Sequence, residues 1–453
     1  MSRKFRTPDY ETALNQAITL REALPPNHLA RFVVMVIGQL DLSHIYARYA
    51  LVGGEAIAPE ILLGLLFYGY ATGVFSSRKL EKGTYESIPF RFIASGLHPD
   101  HDTIANFRKI FLAEIQELFV QILLMAKLAG LLKLGNISVD GSKIHADASK
   151  SKAVSYKRLG ELEIELRQEV HELLELGEQA DQGALRLPEG LVVEDEIAIR
   201  KGWLENLTGA RTILEARAQE RHSAEQAEYE AKLREREEKA KSSGRKPRGR
   251  NPKPPEAGPQ DKDQYNFTDP DSRIMKNSTD AGFDQHYNVQ VAVDQESLLI
   301  VAPSLSNHPN DKQEAVPSLD AISPEVGKPT AAALDNGYFS ETNITAYERR
   351  GVAPYIATGR EPHHKSWHSF FDELPEPAEG ASMQVKMAYK LQTKIGQTIY
   401  RLRKCTVEPV IGIIKEILGF RQFSLRGLAA ATGEWCLVCL AFNLKRMHTL
   451  MVG

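Results

Sequence analysis

Apolar side chains recur every three to four positions through the first third of the chain. The pattern covers residues 29–36, 61–70 and 110–132, and short polar stretches separate these segments. Because one face of an α-helix repeats with a period of 3.6 residues, this spacing predicts helices. We therefore expect an all-α domain over residues 1–134.

The most apolar segment, residues 56–74, contains Pro59 and Glu60 and several glycines. These residues favour a buried core helix over a membrane span, so no membrane partner is expected. The N-terminus has basic residues but no apolar segment behind them, which argues against a secretory signal. With three cysteines in 453 residues, a disulfide framework is excluded and a cytoplasmic location is expected.

A different periodicity begins at residue 136. Apolar and polar residues alternate over residues 287–293, which predicts a half-buried strand, and a second apolar run at 298–302 completes a hairpin. Further strands are predicted at residues 136–140, 143–147, 331–334 and 354–357, and helices at 309–322 and after Ser340. This order predicts an α/β domain: a mixed sheet flanked by helices.

Residues 156–265 interrupt the strand pattern. Residues 161–178 and 215–241 are rich in charge and poor in strand formers, with opposite charges four residues apart, as in Glu163 with Arg167 and Glu228 with Lys232. They predict solvated helices that form an antiparallel pair. We therefore expect a helical, charge-rich insertion with a basic Pro/Gly linker, placed within a domain made of residues 135–155 and 266–453.

The net charge of −3 hides an uneven distribution. Residues 386–446 carry 11 basic and 3 acidic side chains, and residues 239–253 carry seven basic and none acidic. In the second segment Arg248 and Arg250 flank a glycine between prolines, a pattern suited to the narrow minor groove of DNA. A solvated linker explains the same composition equally well, so both interpretations stay open.

Three acidic residues are candidates for chemistry. Asp140 and Asp335 follow predicted strands, where carboxylates border ligand crevices but also often bind turn amides. Glu408 lies near Pro409, and we expect Thr406 to cap a helix that has this proline in its first turn. Lys415 is two turns beyond Glu408, a spacing that also fits a surface ion pair.

Several segments together resemble bacterial insertion-sequence transposases of the DDE superfamily, over nearly the full chain. They are ISVDGSKIHADAS (137–149), TDPDSRIMK (268–276), HYNVQVAVD (286–294), HPNDKQ (308–313), LDNGYFS (334–340), YRLRKCTVEPVIGIIKEILGFRQFSLRG (400–427), EWCLVCLAFNLKRM (434–447), PEILLGLLFYGYATGVFSSRKLE (59–81) and PDHDTIANFRK (99–109). The resemblance implies a ribonuclease-H-like catalytic domain, with Asp140, Asp335 and Glu408 as catalytic acids and metal ligands. The short helices of the N-terminal domain suit a DNA-binding or dimerisation module, and equally any other helical bundle, so both interpretations stay open.

The implied reaction is cleavage and transfer of DNA strands at the terminal inverted repeats of the element, with two Mg²⁺ ions, for which Mn²⁺ substitutes. Two divalent ions activate the attacking oxygen and stabilise the leaving one, and ionised carboxylates suit them as ligands. The expected partners are double-stranded DNA, as element ends and as target, and further copies of the chain in a homodimer or larger assembly on the nucleoid.

The family motif around the last acid also implies DNA contacts. It has Tyr, Arg, Glu and Lys at fixed spacing, which Tyr400, Arg403, Glu408 and Lys415 match except that four residues instead of three separate Arg403 from Glu408. Lys404 has the expected spacing. Whether Arg403 or Lys404 contacts the DNA end is therefore open.

Other chemistries are weaker. Cys436 and Cys439 have the spacing of a zinc site but lie in an apolar run, so buried thiols are expected. His363, His364 and His368 are expected in a polar loop, and helix capping is the expected role of Asp311. Two alternative functions remain: a DNA-binding relative that no longer cuts, and a glycosidase with paired carboxylates, which does not need the basic C-terminal segment.

Overall fold

A computed structural model describes residues 19–50, 54–243, 251–277, 282–359, 375–378 and 380–452. The chain forms two compact units, one made of Met1–Asp147 with Met275–Gly453 and the other of Ala148–Ile274. Sequence periodicity predicts domain boundaries at residues 134, 156 and 265. These boundaries, and the roles expected of the three domains, stay predictions.

In the first unit, eight helices precede the strands of a sheet along the chain, and further helices lie between and after these strands. The helices before the sheet are α1 (Leu20–Ala23), α2 (Leu29–Ile37), α3 (Ser43–Tyr46), α4 (Pro59–Ala71), α5 (Ser77–Glu86), α6 (Ile88–Ile93), α7 (His101–Ile110) and α8 (Leu112–Leu128). The later ones are α11 (Ala315–Asp320), α12 (Glu341–Arg349), α13 (Met383–Gln392), α14 (Lys394–Gly412) and α15 (Leu428–Val452). The predicted helical character of the N-terminal part is thus confirmed.

The sheet is mixed, as predicted. Its strands are β1 (Asn136–His145), β4 (Arg273–Lys276), β5 (Phe283–Asp294), β6 (Ile300–Ser306), β7 (Ala331–Leu334) and β8 (Ala353–Ile356). Their order is β4-β5-β1-β7-β8, and β6 also pairs with β5. Strand β1 is antiparallel to β5 and parallel to β7, which is in turn parallel to β8. The sheet therefore changes from antiparallel to parallel pairing at β1.

Strand β5 is buried on both faces, so the expectation of a half-buried strand was wrong. The polar residues Asn288 and Gln290 are 2% and 0% exposed. Their amides are paired inside the protein, as described below for the site, so burial leaves these groups hydrogen-bonded. Alternation along β5 therefore separates an apolar core face from a polar buried face.

Helix α15 joins the N-terminal helices to the sheet. Asn443 accepts a hydrogen bond from the backbone N–H of Ile300 in β6 (2.8 Å). The fully buried Glu434 accepts one from the hydroxyl of Tyr70 in α4 (3.2 Å) and one from the backbone N–H of Ser424 (2.9 Å). Arg108 of α7 lies 3.8 Å from Glu434. A buried carboxylate paired in this way fixes α15 against α4 and α7.

Helix α14 begins earlier than expected. Its N-cap is Thr393, whose hydroxyl accepts a hydrogen bond from the Gly396 N–H, and Pro409 lies inside the helix. Thr406 is an interior residue that donates to the Leu402 carbonyl (2.7 Å), so the expectation that it caps the helix was wrong. A π-helical turn, Ile413–Ile417, follows Gly412 and changes the direction in which Lys415 projects.

The second unit contains a long helical pair, α9 (Tyr156–Asp181) and α10 (Val193–Ser243), and a short ladder of β2 (Ala153–Ser155) with β3 (Gln264–Asn266). Glu163 contacts Arg211 (2.6 Å) and Glu169 contacts Arg200 (2.7 Å), which shows that the helices run antiparallel. Between them Leu159, Leu166, Leu207, Ala210 and Leu214 form an apolar core. The antiparallel pairing expected of α9 is observed, but these contacts are with residues 200–214 of α10, which precede the predicted segment 215–241.

The apolar segment near residue 60 is α4, and most of its side chains are buried. Within the described ranges, no helix has both the length and the apolar character needed to cross a membrane. Cys436 and Cys439 of α15 are buried thiols, as expected. Burial raises the pKa of Cys436 to about 12, so this thiol stays protonated at neutral pH.

Candidate active site

Two of the predicted acids lie side by side at one edge of the sheet. Strands β1 and β7 are parallel, and their register pairs Val139 with Leu334. The next residue of each strand is an aspartate, Asp140 in β1 and Asp335 directly after β7. Because parallel neighbours in register present equivalent positions to the same edge, the register brings these two aspartates together.

Helix α14 carries the third acid across the same strands. The hydroxyls of Thr406 and Ser138 are hydrogen-bonded to each other (2.8 Å), and Gln295 Nε2 donates to both Ser138 Oγ (3.0 Å) and the Ile399 carbonyl (3.0 Å). Ser138 is fully buried two residues before Asp140, on the same face of β1. These bonds fix the helix on the strand and place Glu408 at the rim of the site.

The guanidinium of Arg403 contacts all three acids. One terminal nitrogen donates to Asp140 Oδ2 (2.8 Å), and the other donates to Glu408 Oε1 (3.2 Å) and lies 3.8 Å from Asp335 Oδ1. The Arg403 side chain is 7% exposed, whereas those of Asp335 and Glu408 are about half exposed, at 50% and 49%. The structure thus brings the three predicted acids together around one buried positive charge.

The ionisation of this cluster is shifted. Burial raises the pKa of Asp140 to about 6; Arg403 and the Gly141 N–H oppose the rise, and the charges of Asp335 and Asp311 add to it. Burial acts to lower the pKa of Arg403, but the nearby charges, Asp140 first, outweigh it and the pKa is raised. The arginine stays charged, while Asp140 is partly protonated in mildly acidic solution.

A fourth acid, Asp311, lies beside this cluster. Its Oδ1 accepts hydrogen bonds from Asn288 Nδ2 (2.9 Å) and Gln290 Nε2 (2.8 Å) of β5, so its expected role as a helix cap was wrong. A Cβ on Gly141 would lie 2.9 Å from Asp311 Oδ1 and 2.2 Å from Gln290 Nε2. Only glycine therefore fits after Asp140 while Asp311 and Gln290 hold these positions.

An open cavity of about 260 Å³ adjoins the acids. It is lined by Gly141, Ser142, Lys143, Lys276, Asn277, Asn288 and Asp311. Lys415 lies close by, where its Nζ donates to Ser142 Oγ (3.0 Å). Burial lowers the pKa of Lys415, and Arg421 adds to this effect. Of the four acids only Asp311 lines this cavity, together with the lysines Lys143 and Lys276.

Two transposase family models match the chain. A model described as a transposase domain (DUF772) matches residues 18–110, and one described as a transposase DDE domain matches residues 376–448. The second range contains Arg403 and Glu408, while Asp140 and Asp335 lie between the two ranges. These two matches support an insertion-sequence DDE transposase. No match was found among curated proteins or among solved structures.

The other residues that the sequence suggested for DNA or metal contacts lie away from the three acids or outside the described part of the chain. Tyr400 is 9% exposed and packs against Ala333 and Tyr355, with its ring centre 5.9 Å from the Arg403 guanidinium. Lys404 is exposed on α14. Arg248 and Arg250, like His363, His364 and His368, lie outside the described residues.

Sequence reasoning did not find the bridging role of Arg403 or the place of Asp311. Helical spacing alone puts Arg403 and Glu408 about 140° apart around α14, which gives no sign that both touch one cluster. For Asp311, the available signal was its position within the family-like HPNDKQ segment. Its partners Asn288 and Gln290 were assigned to an exposed face, which concealed the contact.

The three acids are side chains of the type that bind divalent cations, because ionised carboxylates are hard oxygen ligands. In this structure they converge on the guanidinium of Arg403. Arg403 Nε is buried without a hydrogen-bond partner among the described residues, so the guanidinium is incompletely satisfied. Within that part of the chain no group of three or more His, Cys, Asp or Glu side chains is ready to hold a metal as it stands. The ligand types would suit Mg²⁺, whereas the positive charge that they contact in this structure is that of Arg403.

Proposed function

We propose that the chain is an active DNA transposase with a ribonuclease-H-like catalytic domain. It binds the terminal inverted repeats of its element, cleaves DNA strands with Mg²⁺ or Mn²⁺, and transfers them to target DNA. The work takes place at the nucleoid in the cytoplasm, in a homodimer or larger assembly, because two element ends have to be joined.

One observation carries this proposal. Asp140, Asp335 and Glu408 are far apart in the chain, yet all three contact Arg403. Asp140 lies within β1, Asp335 directly follows the neighbouring strand β7, and Glu408 comes from the helix that packs on β1. A strand-end carboxylate with a structural role would bond turn amides, and nothing in such a role requires three acids to converge.

Each residue has a task in the proposed reaction. Asp140, Asp335 and Glu408 would hold the divalent ions, which when bound supply an ionised nucleophile and stabilise the leaving oxygen. Ser138 and Thr406 keep Glu408 in line with Asp140 by fixing α14 on β1. No proton has to be stored on these acids, so all three work best when ionised.

Basic side chains would hold the DNA backbone. Lys404 is exposed on α14, the helix of Glu408, and Lys415 lies at the cavity next to Ser142. Ammonium groups at these points can neutralise phosphates on either side of the scissile bond. Tyr400 supports Arg403 through its ring, and Arg248 with Arg250 remains a candidate minor-groove contact.

The test uses purified full-length protein and a labelled duplex taken from the DNA that flanks the coding region. With Mg²⁺ we expect a nick at the element end that EDTA abolishes. Asp335→Asn should abolish the nick and leave retardation of the duplex on a gel unchanged. Asp320→Asn is the matched control, since this exposed carboxylate pairs with Arg350 (2.7 Å), and it should cut like the unmodified protein. Equal cutting by Asp335→Asn would refute the proposal.

A second candidate is a relative that binds DNA without cutting it. It is favoured by the presence of Arg403 between the acids, because this cation neutralises them without any metal. Such a protein would retard the flanking duplex and leave it intact in Mg²⁺ and in Mn²⁺. The nicking assay therefore separates the two candidates directly.

A further inference from the structure

Arg403 uses oxygens that a bound metal ion would need. Asp140 Oδ2 accepts the guanidinium bond (2.8 Å), and Asp140 Oδ1 accepts the Gly141 N–H (2.9 Å). Both oxygens of this carboxylate are therefore engaged. Glu408 Oε1 and Asp335 Oδ1 also face the same guanidinium, at 3.2 and 3.8 Å.

Arg403 contacts three carboxylates, but within the described part of the chain not all of its N–H groups are hydrogen-bonded. A guanidinium has five N–H donors in a planar fork, and here the buried Nε has no partner among the described residues. The position of α14 is held independently by Thr406 on Ser138 and by Gln295 on the Ile399 carbonyl. The guanidinium can therefore leave the acids by side-chain rotation, with the helix still in place.

We infer that Arg403 is an internal counter-cation that holds the three acids together in the metal-free protein and competes with divalent ions for them. This inference rests on the proposed function, in which the same acids bind metal. A carboxylate cluster repels itself when it has no cation, and Arg403 supplies one from within the chain. A divalent ion that binds here has to displace this arginine or tolerate its positive charge.

The test measures Mn²⁺ binding to the full-length protein without DNA, by electron paramagnetic resonance of the unbound ion. Arg403→Gln should bind Mn²⁺ at least about tenfold more tightly than the unmodified protein, because one like charge a few ångströms from the metal is removed. Arg401→Gln is the matched control. It removes the same charge from an exposed position of the same helix and should leave the affinity unchanged.

Arg403→Lys covers the case in which Arg403→Gln does not fold, as judged by circular dichroism. A single ammonium cannot span the three acids as the fork does, so this variant should also bind Mn²⁺ more tightly, by a smaller factor. Equal or weaker Mn²⁺ binding by the folded Arg403 variants would overturn the inference, while binding lost in Asp335→Asn would still support a metal site. If neither the unmodified protein nor the variants bind Mn²⁺, the inference and the proposed metal site both fail.

Discussion

Arginine–carboxylate pairs occur in both units of the molecule, and they differ in burial. In the helical pair, Arg158 contacts Glu165 (2.8 Å), and the two side chains are 48% and 53% exposed. In the acid cluster, Arg403 contacts Asp140 at the same distance, with exposures of 7% and 20%. Water screens the first pair and leaves it nearly neutral for stability, while the second is a coupled cluster. Distance alone therefore says little about which ion pairs carry function.

The largest expected difference between the buried cluster and an exposed ion pair is in DNA cleavage after a carboxylate is replaced. Glu408→Gln removes a proposed metal ligand, and we expect DNA cleavage to fall by about 10³-fold or more. Glu416→Gln is matched in chemistry, because Glu416 also contacts an arginine, Arg421, but both side chains are about 60% exposed. Rates of nicking in Mg²⁺ test this difference, and equal rates for the two variants would remove Glu408 from the site.

Replacing the arginine should lower the free energy of unfolding more at the buried cluster than at the exposed pair. Arg403→Gln leaves three acids without their cation, and we expect the free energy of unfolding to fall by about 2 kcal/mol in metal-free buffer. This figure is lower than for a fully buried cluster, since Asp335 and Glu408 are half exposed. Arg158→Gln should change it by less than about 0.5 kcal/mol. Urea unfolding with EDTA measures both, and similar losses would mean that burial does not distinguish the pairs.

The pH dependence of stability provides a third contrast. The pKa of Asp140 is raised from 3.8 to about 6 in the folded protein, so between these values the folded state binds more protons than the unfolded state. Stability from this group is therefore present at low pH and declines as the pH rises through about 4 to 6, by about 3 kcal/mol in total. Asp140→Asn should remove this decline, which urea unfolding in EDTA across that range would detect. A decline of equal size in the variant would assign it to other groups.

Much of this architecture was predictable from local pattern. Period-two alternation identified β5, and the apolar run before Asp335 identified the end of β7, because these signals depend on neighbouring residues. The expected strand end at Asp140 was wrong, since β1 continues through Gly141 and Ser142 to His145, and the two strands predicted at 136–140 and 143–147 are one. The start of α14 was missed, since a cap-like Thr406 with Pro409 mimics a helix start, whereas packing on β1 sustains the helix through the proline.

The chemistry between distant segments was harder to predict. Arg403 meets Asp140 across 263 residues of sequence, and no periodicity encodes that contact. Asn288 and Gln290 alternate with apolar residues as an exposed face would, but their partner Asp311 buries them. Polar residues on a strand thus indicate a solvated face only if no other segment supplies their hydrogen bonds.

Replacing Asp311 should have the smallest effect, because its carboxylate is held by the uncharged side-chain amides of Asn288 and Gln290. Asp311→Asn keeps the shape and one acceptor oxygen, while it removes a charge that adds to the raised pKa of Asp140. We expect a stability loss of about 1 kcal/mol, the usual size for one altered hydrogen-bond network, and a lower pKa of Asp140. The stability decline described above should then end at a lower pH and be smaller in total, because its start is set by the pKa of Asp140 in the unfolded state, which does not change. Asp320→Asn removes an exposed charge and should shift neither quantity. An unchanged pH profile in Asp311→Asn would show that the charge of Asp311 does not act on Asp140, and the coupled acids would then be the three that contact Arg403.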